Sequence, residues 1–247
     1  MSSTLVIQSH RKPLPQGWLQ SCIDSVQAWT QGAGFEYRFV DDALFDLIDA
    51  DLCRSHMGQP AVVADLARLV WIRQCLVEGY QRVIWCDADF LVFDADAFSP
   101  IDAAFALGRE VWVQHDSRDR LRAYSKLHNA FMMFQRDNHL LDFYIGSAER
   151  LLQMNPGNVS PQFIGPKLVT ALHNIVQFPV QENAGMLSPL VIRDLLGQGG
   201  SALDLFLEKS PMPLAAANLS ASLSEREDLD QAAMSGLIDH LVEYGIG

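Results

Sequence analysis

Cysteine is sparse in this chain and scattered: Cys22, Cys53, Cys75 and Cys86 form no C-x-x-C pair. That spacing argues against zinc and disulfide frameworks and reads as four reduced, mostly buried thiols. Basic residues are scarce too, with 18 Lys and Arg against 30 Asp and Glu, a net charge of −12. A nucleic acid or an anionic membrane needs a basic surface to neutralise its phosphates, so neither is expected as a partner. No apolar stretch reaches the roughly 18 residues that span a bilayer. Residues 1–7 lack the charged start and long apolar core of a signal peptide, and a cytoplasmic location is expected. Low-complexity tracts, internal repeats and domain linkers are missing as well. With 247 residues, 49% of them hydrophobic, the chain can bury a substantial core as a single domain spanning 1–247.

What the chain does have is a pair of carboxylates in an informative place. Arg82-Val83-Ile84-Trp85-Cys86 is rich in β-branched and aromatic residues and reads as a buried strand. Asp87-Ala88-Asp89 follows at its C-terminal edge, where open α/β sheets bind ligands, and a second apolar run, Phe90-Leu91-Val92-Phe93, comes next. At a strand-to-turn junction both side chains can converge on one cation. Mg2+ and Mn2+ prefer such oxygens and commonly share them with a substrate phosphate. The suggested chemistry is metal-assisted handling of a diphosphate, with Asp87 and Asp89 as metal ligands. A bare Asp-X-Asp is also a common accident in an acidic chain. Asp94-Ala95-Asp96 repeats the spacing with no strand before it.

The surrounding pattern is that of an α/β protein. A strand over 4–8, a Pro-containing loop, a helix over 18–29 carrying Trp18, Cys22, Val26 and Trp29, and a strand over 35–40 make a strand–helix–strand opening usual for nucleotide-binding sheets. A helix is predicted over 61–78, with Pro60 in its first turn and Gly79 as its stop. Further strands are predicted at 111–114 and 130–134, and helices at 140–152 and 167–173. The pattern weakens from Ser188, with 197–201 a flexible connection. Residues from about 176 onward are expected to form a helical C-terminal part. A last helix is predicted from about Glu225 to Tyr244, started by a Ser224–Glu227 capping box and packed through Leu229, Ala233, Leu237 and Leu241.

Within the 61–78 helix, Asp65 and Arg68 stand three residues apart on one face. Alone, they read better as a solvated surface ion pair of little energetic weight than as a site. Their order gives them meaning: Ala64-Asp65-Leu66-Ala67-Arg68, a helix end, then the Asp-X-Asp strand. That order resembles the sugar-binding region of retaining glycosyltransferases, above all family 32 and its relatives, including the large clostridial glucosylating toxins. The segment from Tyr80 to Val92 is also similar to the matching piece of family 8. Phe163-Ile164-Gly165-Pro166-Lys167-Leu168-Val169-Thr170 resembles a later Gly-Pro turn and helix of family 32, and the opening as far as Phe39-Val40-Asp41-Asp42 fits too. The likeness covers roughly residues 4–175 and is specific in 61–93. Tyr80 and Gly79 stand where family 32 has a Gly-Gly pair and a Tyr, and Ile164 replaces the Thr that commonly precedes Gly-Pro. The His-rich C-terminal signature of family 8, which supplies a third metal ligand there, is absent.

The resemblance implies a GT-A-type nucleotide-diphospho-sugar transferase fold, α/β, with a central mostly parallel sheet flanked by helices. It implies a retaining transfer of a hexose from a UDP- or GDP-sugar to a glycan or other acceptor, as in polysaccharide biosynthesis, with Mn2+ or Mg2+. Asp87, Asp89 and Arg68 would be catalytic. Asp89 would bind the metal directly, and Asp87 would meet the metal, through water, and the donor. Asp65, Arg68, Asp87, Gln8 and Asn129 would bind the donor. Breaking the bond between sugar and diphosphate builds negative charge that a cation and an arginine stabilise. No protein nucleophile is assigned.

Gln8, at the end of the first strand, is placed either to meet the nucleotide base or simply to cap the strand. His128-Asn129, ahead of a predicted strand, reads as a donor contact or as a turn. Asn218, Ser220 and Ser222 resemble the late loop that completes the metal shell in the toxin relatives, with Asn218 or Ser220 the candidate third ligand. The apolar stretch around Leu203 to Leu207 is read as an acceptor lobe or a subunit contact, and His115 and His173 as structural histidines. Two rival readings remain. A haloacid-dehalogenase-like phosphatase also places Asp-X-Asp after a strand, but near the chain start and in a different loop. A non-catalytic nucleotide-sugar-binding protein would keep the fold without turnover.

Overall fold

The computed structural model describes residues 3–14, 16–157, 159–224 and 229–246, the side chains of 223 and 224 excepted. Its elements in chain order are β1 (Thr4–Ser9), α1 (Trp18–Gly32), β2 (Glu36–Val40), α2 (Ala50–Ser55), α3 (Pro60–Glu78), β3 (Arg82–Cys86), β4 (Phe90–Val92), β5 (Phe105–His115), β6 (Leu121–Gln135), α4 (His139–Met154), α5 (Pro166–Val176), β7 (Val180–Gln181), β8 (Ala184–Met186), α6 (Pro189–Leu196), α7 (Ser201–Lys209), β9 (Ala216–Asn218), α8 (Ala221–Ser224) and α9 (Gln231–Tyr244). Among the described residues no helix is long and apolar enough to cross a membrane.

Six strands form the main sheet in the order β2-β1-β3-β6-β5-β7, and β4, β9 and β8 form a smaller one. β1 runs parallel to β2 and β3, and β7 parallel to β5, whereas β6 is antiparallel to both of its neighbours. The protein is therefore α/β, with a mostly parallel central sheet flanked by helices. Strand alternation builds the layers. Leu5, Ile7, Val83 and Trp85 join a cluster with Leu66, Leu69 and Ile72 of α3 and Tyr144 of α4. Val6, Ile84 and Cys86 face the other way, toward Val26 and Trp29 of α1. Successive side chains leave a strand on opposite faces, so stretches covered on both sides are apolar in succession, as Leu5-Val6-Ile7 of β1 and Val83-Ile84-Trp85-Cys86 of β3 are. A further cluster joins α6, α7 and α9 through Val191, Leu195, Phe206, Leu237 and Leu241.

Several expectations are revised. The strands expected at 111–114 and 130–134 are parts of far longer ones, 11 residues in β5 and 15 in β6. Residues 121–126 of β6 are not buried, so no apolar run marks them. Beyond residue 176 the chain supplies helices and also β7, β8 and β9. The last helix is described from Gln231, with the Asp230 carboxylate accepting the Ala233 N–H, so Leu229 precedes it. Glu227 of the expected capping box lies outside the described residues.

One irregularity sets up the functional edge. Leu107 pairs with Met132, but the next residue, Gly108, pairs with His128, so residues 129–131 bulge out of the β5–β6 ladder. His128 pins the bulge: its Nε2 lies 3.0 Å from the Ala184 carbonyl, and its Nδ1 accepts the Ala130 N–H at 3.2 Å. Burial lowers its pKa to about 4, so the ring is neutral. A Cβ at Gly108 would stand 2.1 Å from His128 Nε2 and 2.9 Å from the Ala184 carbonyl oxygen. Gly108→Ala should therefore lower stability by about 1–3 kcal/mol. In urea titrations the cost should shrink when His128 is also replaced by Ala, because the two sites share one clash.

Candidate functional site

Asp87 and Asp89 sit in the short link between β3 and β4. The link is held from both sides. Asp87 N–H donates to the Ala130 carbonyl at 2.9 Å, and Gln8 Nε2 donates to the Asp87 carbonyl at 3.1 Å. Gln8 Oε1 in turn accepts from the Tyr37 hydroxyl at 3.0 Å, and the residue is fully buried. The expectation that Gln8 meets a nucleotide base is thus corrected: both ends of its amide are engaged inside the protein, and it positions the Asp87 backbone.

Arg68 reaches from α3 across the end of β3. Its Nη2 lies 3.2 Å from Asp65 Oδ1 and its Nη1 2.9 Å from Asp87 Oδ1, with side-chain exposures of only 12% for Arg68 and 8% for Asp65. This is a buried bridge, not a solvated helix pair. Nη1 also donates to the Asn129 carbonyl at 3.2 Å, and the guanidinium carbon stands 5.5 Å from the Trp85 ring centre, within cation–π range. Trp85 Nε1 donates to Asp87 Oδ1 at 2.7 Å. Asn129 lies within β6, not in a turn ahead of a strand, and the bulge aims it at Asp65, whose Oδ1 accepts from Asn129 Nδ2 at 2.8 Å. Gly165, the residue before α5, closes this group. A Cβ there would stand 2.5 Å from Asp65 Oδ2 and 2.8 Å from Asn129 Nδ2.

Asp89 is held by the small sheet. Phe90 in β4 lies opposite Asn218 in β9, which brings residues 129 positions apart in the chain together. Asn218 Nδ2 donates to Asp89 Oδ1 at 2.6 Å, and the Ala221 N–H donates to Oδ2 at 2.8 Å. Asn218 Oδ1 accepts the Ser220 N–H at 2.8 Å, and Ser220 Oγ donates to the Leu187 carbonyl at 3.1 Å. Both candidates for a third metal ligand are hydrogen-bonded within the protein and line the same cavity, and Asn218 offers Asp89 its NH2, not its oxygen. Asp94 Oδ1 accepts the Ala97 N–H at 3.0 Å, so the second Asp-X-Asp is a turn. His173 Nδ1 accepts the Phe178 N–H, and His115 meets Asp119 at the surface.

Burial governs the charges. It raises Asp65 to about 6 against the opposing pull of Arg68 and Asn129. It raises Asp89 to about 6 as well, with the charge of Asp87 adding to the rise and the Ala221 and Asn218 hydrogen bonds resisting it. Burial pulls Arg68 down, but Asp87 and Asp65 outweigh it and hold the guanidinium above its ordinary value.

Asp87 and Asp89 open into a cavity of about 410 Å3, whose walls include Glu110, Trp112 and Gln114 of β5, Lys126 of β6, Gln162, Met186 and Ser222. Cavities of about 500 and 540 Å3 lie elsewhere, one near Gly79 and Arg136 and one between α6, α7 and α9, and neither contains either carboxylate. The wall residues on β5 and β6 are missing from the sequence reading. Their signal is the alternation Glu110-Val111-Trp112-Val113-Gln114, in which both valines are buried. Among the described residues no group of three His, Cys, Asp or Glu is assembled to hold a metal ion. Asp87 and Asp89 supply carboxylate oxygens at the β3–β4 end of the cavity, and Glu110 supplies another from β5. That set suits a hard divalent cation whose other positions are filled by water and ligand oxygens.

No protein-family model matches the chain, and no curated protein matches it. Among solved structures it is similar to a glycosyltransferase involved in glycosylating the major capsid of PBCV-1 (TM-score 0.49, 9% identity, covering 95% of this chain and 98% of that one). It is also similar to the galactosyltransferase LgtC in complex with donor and acceptor sugar analogues (TM-score 0.49, 11% identity, 95% of each chain). A third is a Drosophila galactosyltransferase 7 mutant in complex with manganese, UDP-Gal and xylobiose (TM-score 0.31, 10% identity, 70% of this chain and 74% of that one).

The raised carboxylate at Asp65 has a pH signature. Between its ordinary value of 3.8 and about 6, the unfolded chain loses this proton while the folded chain keeps it. Stability therefore falls as pH rises through that window and levels off above it. Asp65→Asn retains an oxygen for Asn129 and removes the titration. Its melting temperature should accordingly climb relative to the parent as pH rises from 4 to 6 and hold a constant offset above 7. A constant offset throughout would refute the raised value.

Proposed function

We propose that this chain is a metal-dependent, retaining glycosyltransferase of GT-A type that moves a hexose from a UDP- or GDP-sugar to a saccharide or other acceptor. The observation that carries this reading is Arg68 bridging Asp65 and Asp87 at the C-terminal edge of parallel strands, with the half-buried Asp89 beside it on a polar cavity. Open α/β sheets bind ligands at that edge. The retaining stereochemistry rests on the resemblance of residues 61–93 to families 32 and 8.

In this reading Asp87 and Asp89 hold Mn2+ or Mg2+, which when bound neutralises charge on the departing diphosphate. Asp89 is oriented for this by Asn218 and the Ala221 amide, and Asp87 by Trp85 and Arg68. Arg68 adds a fixed positive charge where the leaving group gains its negative one, and it needs no reorganisation because two carboxylates already hold it in place. Asp65 acts through Arg68 and Asn129. The phosphatase reading fits less well: it needs Asp87 as a free nucleophile, yet the carboxylate is engaged by both Trp85 and Arg68.

Thermal melting with UDP, GDP and their hexose conjugates, with and without Mn2+, tests the proposal on the parent and on Asp89→Ala. A ligand at 100 times its Kd adds about 2.7 kcal/mol, or roughly 5–10 °C for a chain of this size. The expected result is a rise that needs both nucleotide and metal and disappears in the variant. No response to any of these nucleotides would overturn the donor-site reading.

A further inference from the structure

The cavity beside Asp87 and Asp89 has one wall that nothing in the donor chemistry uses. Beyond the bulge at Gly108, β5 and β6 run on together as a hairpin arm, with Glu110 opposite Lys126, Trp112 opposite Tyr124 and Gln114 opposite Arg122. Directly paired residues of antiparallel strands share a face. Val111 and Val113 point the other way, into the cluster with Leu187, Val191 and Phe206, so this arm is anchored on one side and open to the cavity on the other.

From this arrangement we infer that the hairpin face built on Trp112 is an acceptor platform for an uncharged saccharide. The inference deepens the transferase reading and rests on it for the word acceptor. A pyranose ring has an apolar C–H face and a rim of hydroxyls that both donate and accept. An indole offers a matching apolar surface, and Trp is suited to sites where one side is apolar and the other wet. Around it stand groups of each hydrogen-bonding kind: the Glu110 carboxylate, the Lys126 ammonium and the Gln114 amide, whose Oε1 accepts from Trp112 Nε1 at 3.0 Å. Charge selects against an anionic acceptor. Lys126 lies 3.8 Å from Glu110, Arg68 is bound to Asp65 and Asp87, and Arg122 turns to Asp116 outside the cavity, so no cation within the cavity is in surplus, while Asp89 adds a further carboxylate to it. An apolar acceptor would leave the buried Glu110 unpartnered on its cavity side.

The expectation that the stretch around Leu203 to Leu207 forms the acceptor lobe gives way here. Phe206 and its partly buried neighbours Leu203 and Leu205 are packed into the core beneath this arm, so α7 supports the platform from behind.

Ligand-observed saturation-transfer NMR on the full chain tests the inference directly, with lactose, maltose and cellobiose as probes. It compares the parent, Trp112→Ala and Trp112→Phe, each also melted with UDP or GDP plus Mn2+. At least one disaccharide should bind the parent, weaken about tenfold in Trp112→Ala and bind with intermediate strength in Trp112→Phe, which keeps an aromatic face. The nucleotide-dependent rise in melting temperature should persist in both variants. No disaccharide binding to the parent, binding indifferent to Trp112→Ala, or loss of saccharide and nucleotide responses together would each overturn the platform. Saccharide binding that depends on Trp112 in a chain with no nucleotide response would sustain the platform and remove the transferase reading instead.

Discussion

Arg68 lies between Asp87 and Asp65, and burial drives the Asp65 carboxylate toward its neutral form. Taking an ion out of water costs several kcal/mol, and the attraction between opposite charges repays it only when geometry and additional hydrogen bonds are good. Here the extra bonds exist: Arg68 also meets the Asn129 carbonyl, Asp65 accepts from Asn129, and Asp87 accepts from Trp85. Those partners come from β6 and β3, so the ion triad of α3 and the β3–β4 link can form only if α3, β3 and the bulge in β6 are all in place. Removing the arginine would leave two buried charges uncompensated, the situation in which broken buried pairs become strongly destabilising. The same requirement explains the two tight glycines nearby. Gly165 lets the backbone rest on the Asp65–Asn129 contact, and Gly108 leaves room for the histidine that pins the bulge.

Much of this was legible in the sequence wherever a local pattern and a burial pattern coincide. β1, β2, β3 and α3 follow from their apolar runs, and the Pro60 start and Gly79 stop of α3 match the observed helix. Asp87 and Asp89 were singled out by their place after an apolar strand, and Asp65 and Arg68 by the resemblance of the 61–93 segment, in which helix, turn and strand are consecutive. What remained hidden depends on pairings between distant segments. Nothing near Asn129 announces a bulge, since a bulge is a mismatch between two strands and not a property of either. The role of Asn218 follows from its register opposite Phe90, which no window around residue 218 contains. Gln8 was read as a ligand contact because it ends a strand at the right edge. It is instead consumed by Tyr37 on β2 and by the Asp87 carbonyl on the link after β3.

The small sheet resolves a further difficulty. Asp89 follows β3 by three residues and could flex with its turn, yet its main-chain carbonyl accepts the Leu219 N–H at 2.9 Å and both of its carboxylate oxygens are hydrogen-bonded to the segment from Asn218 to Ala221. The C-terminal part of the chain is therefore not an appendage to a nucleotide-binding half. It closes the site, and α6, α7 and α9 hold that closing segment through a shared apolar cluster.

Keeping Asp89 largely desolvated next to Asp87 works against stability, because desolvation and like charge both favour the protonated acid. A neutral amide there would carry no charge but could accept only one of the two hydrogen bonds, because its NH2 would face a donor. In the proposed function the arrangement has a purpose. Partners that fix the carboxylate without neutralising it, two neutral donors in place of a lysine or arginine, leave its charge available to a cation while removing its freedom to move. Asp87 is treated oppositely, with its charge shared with Arg68. The pair is thus asymmetric by construction: Asp89 is a restrained, unneutralised oxygen donor, and Asp87 is a donor already coupled to the positive group that would face the leaving diphosphate. That asymmetry supports the proposed direct metal contact of Asp89 and bridging role of Asp87, which the sequence resemblance implies.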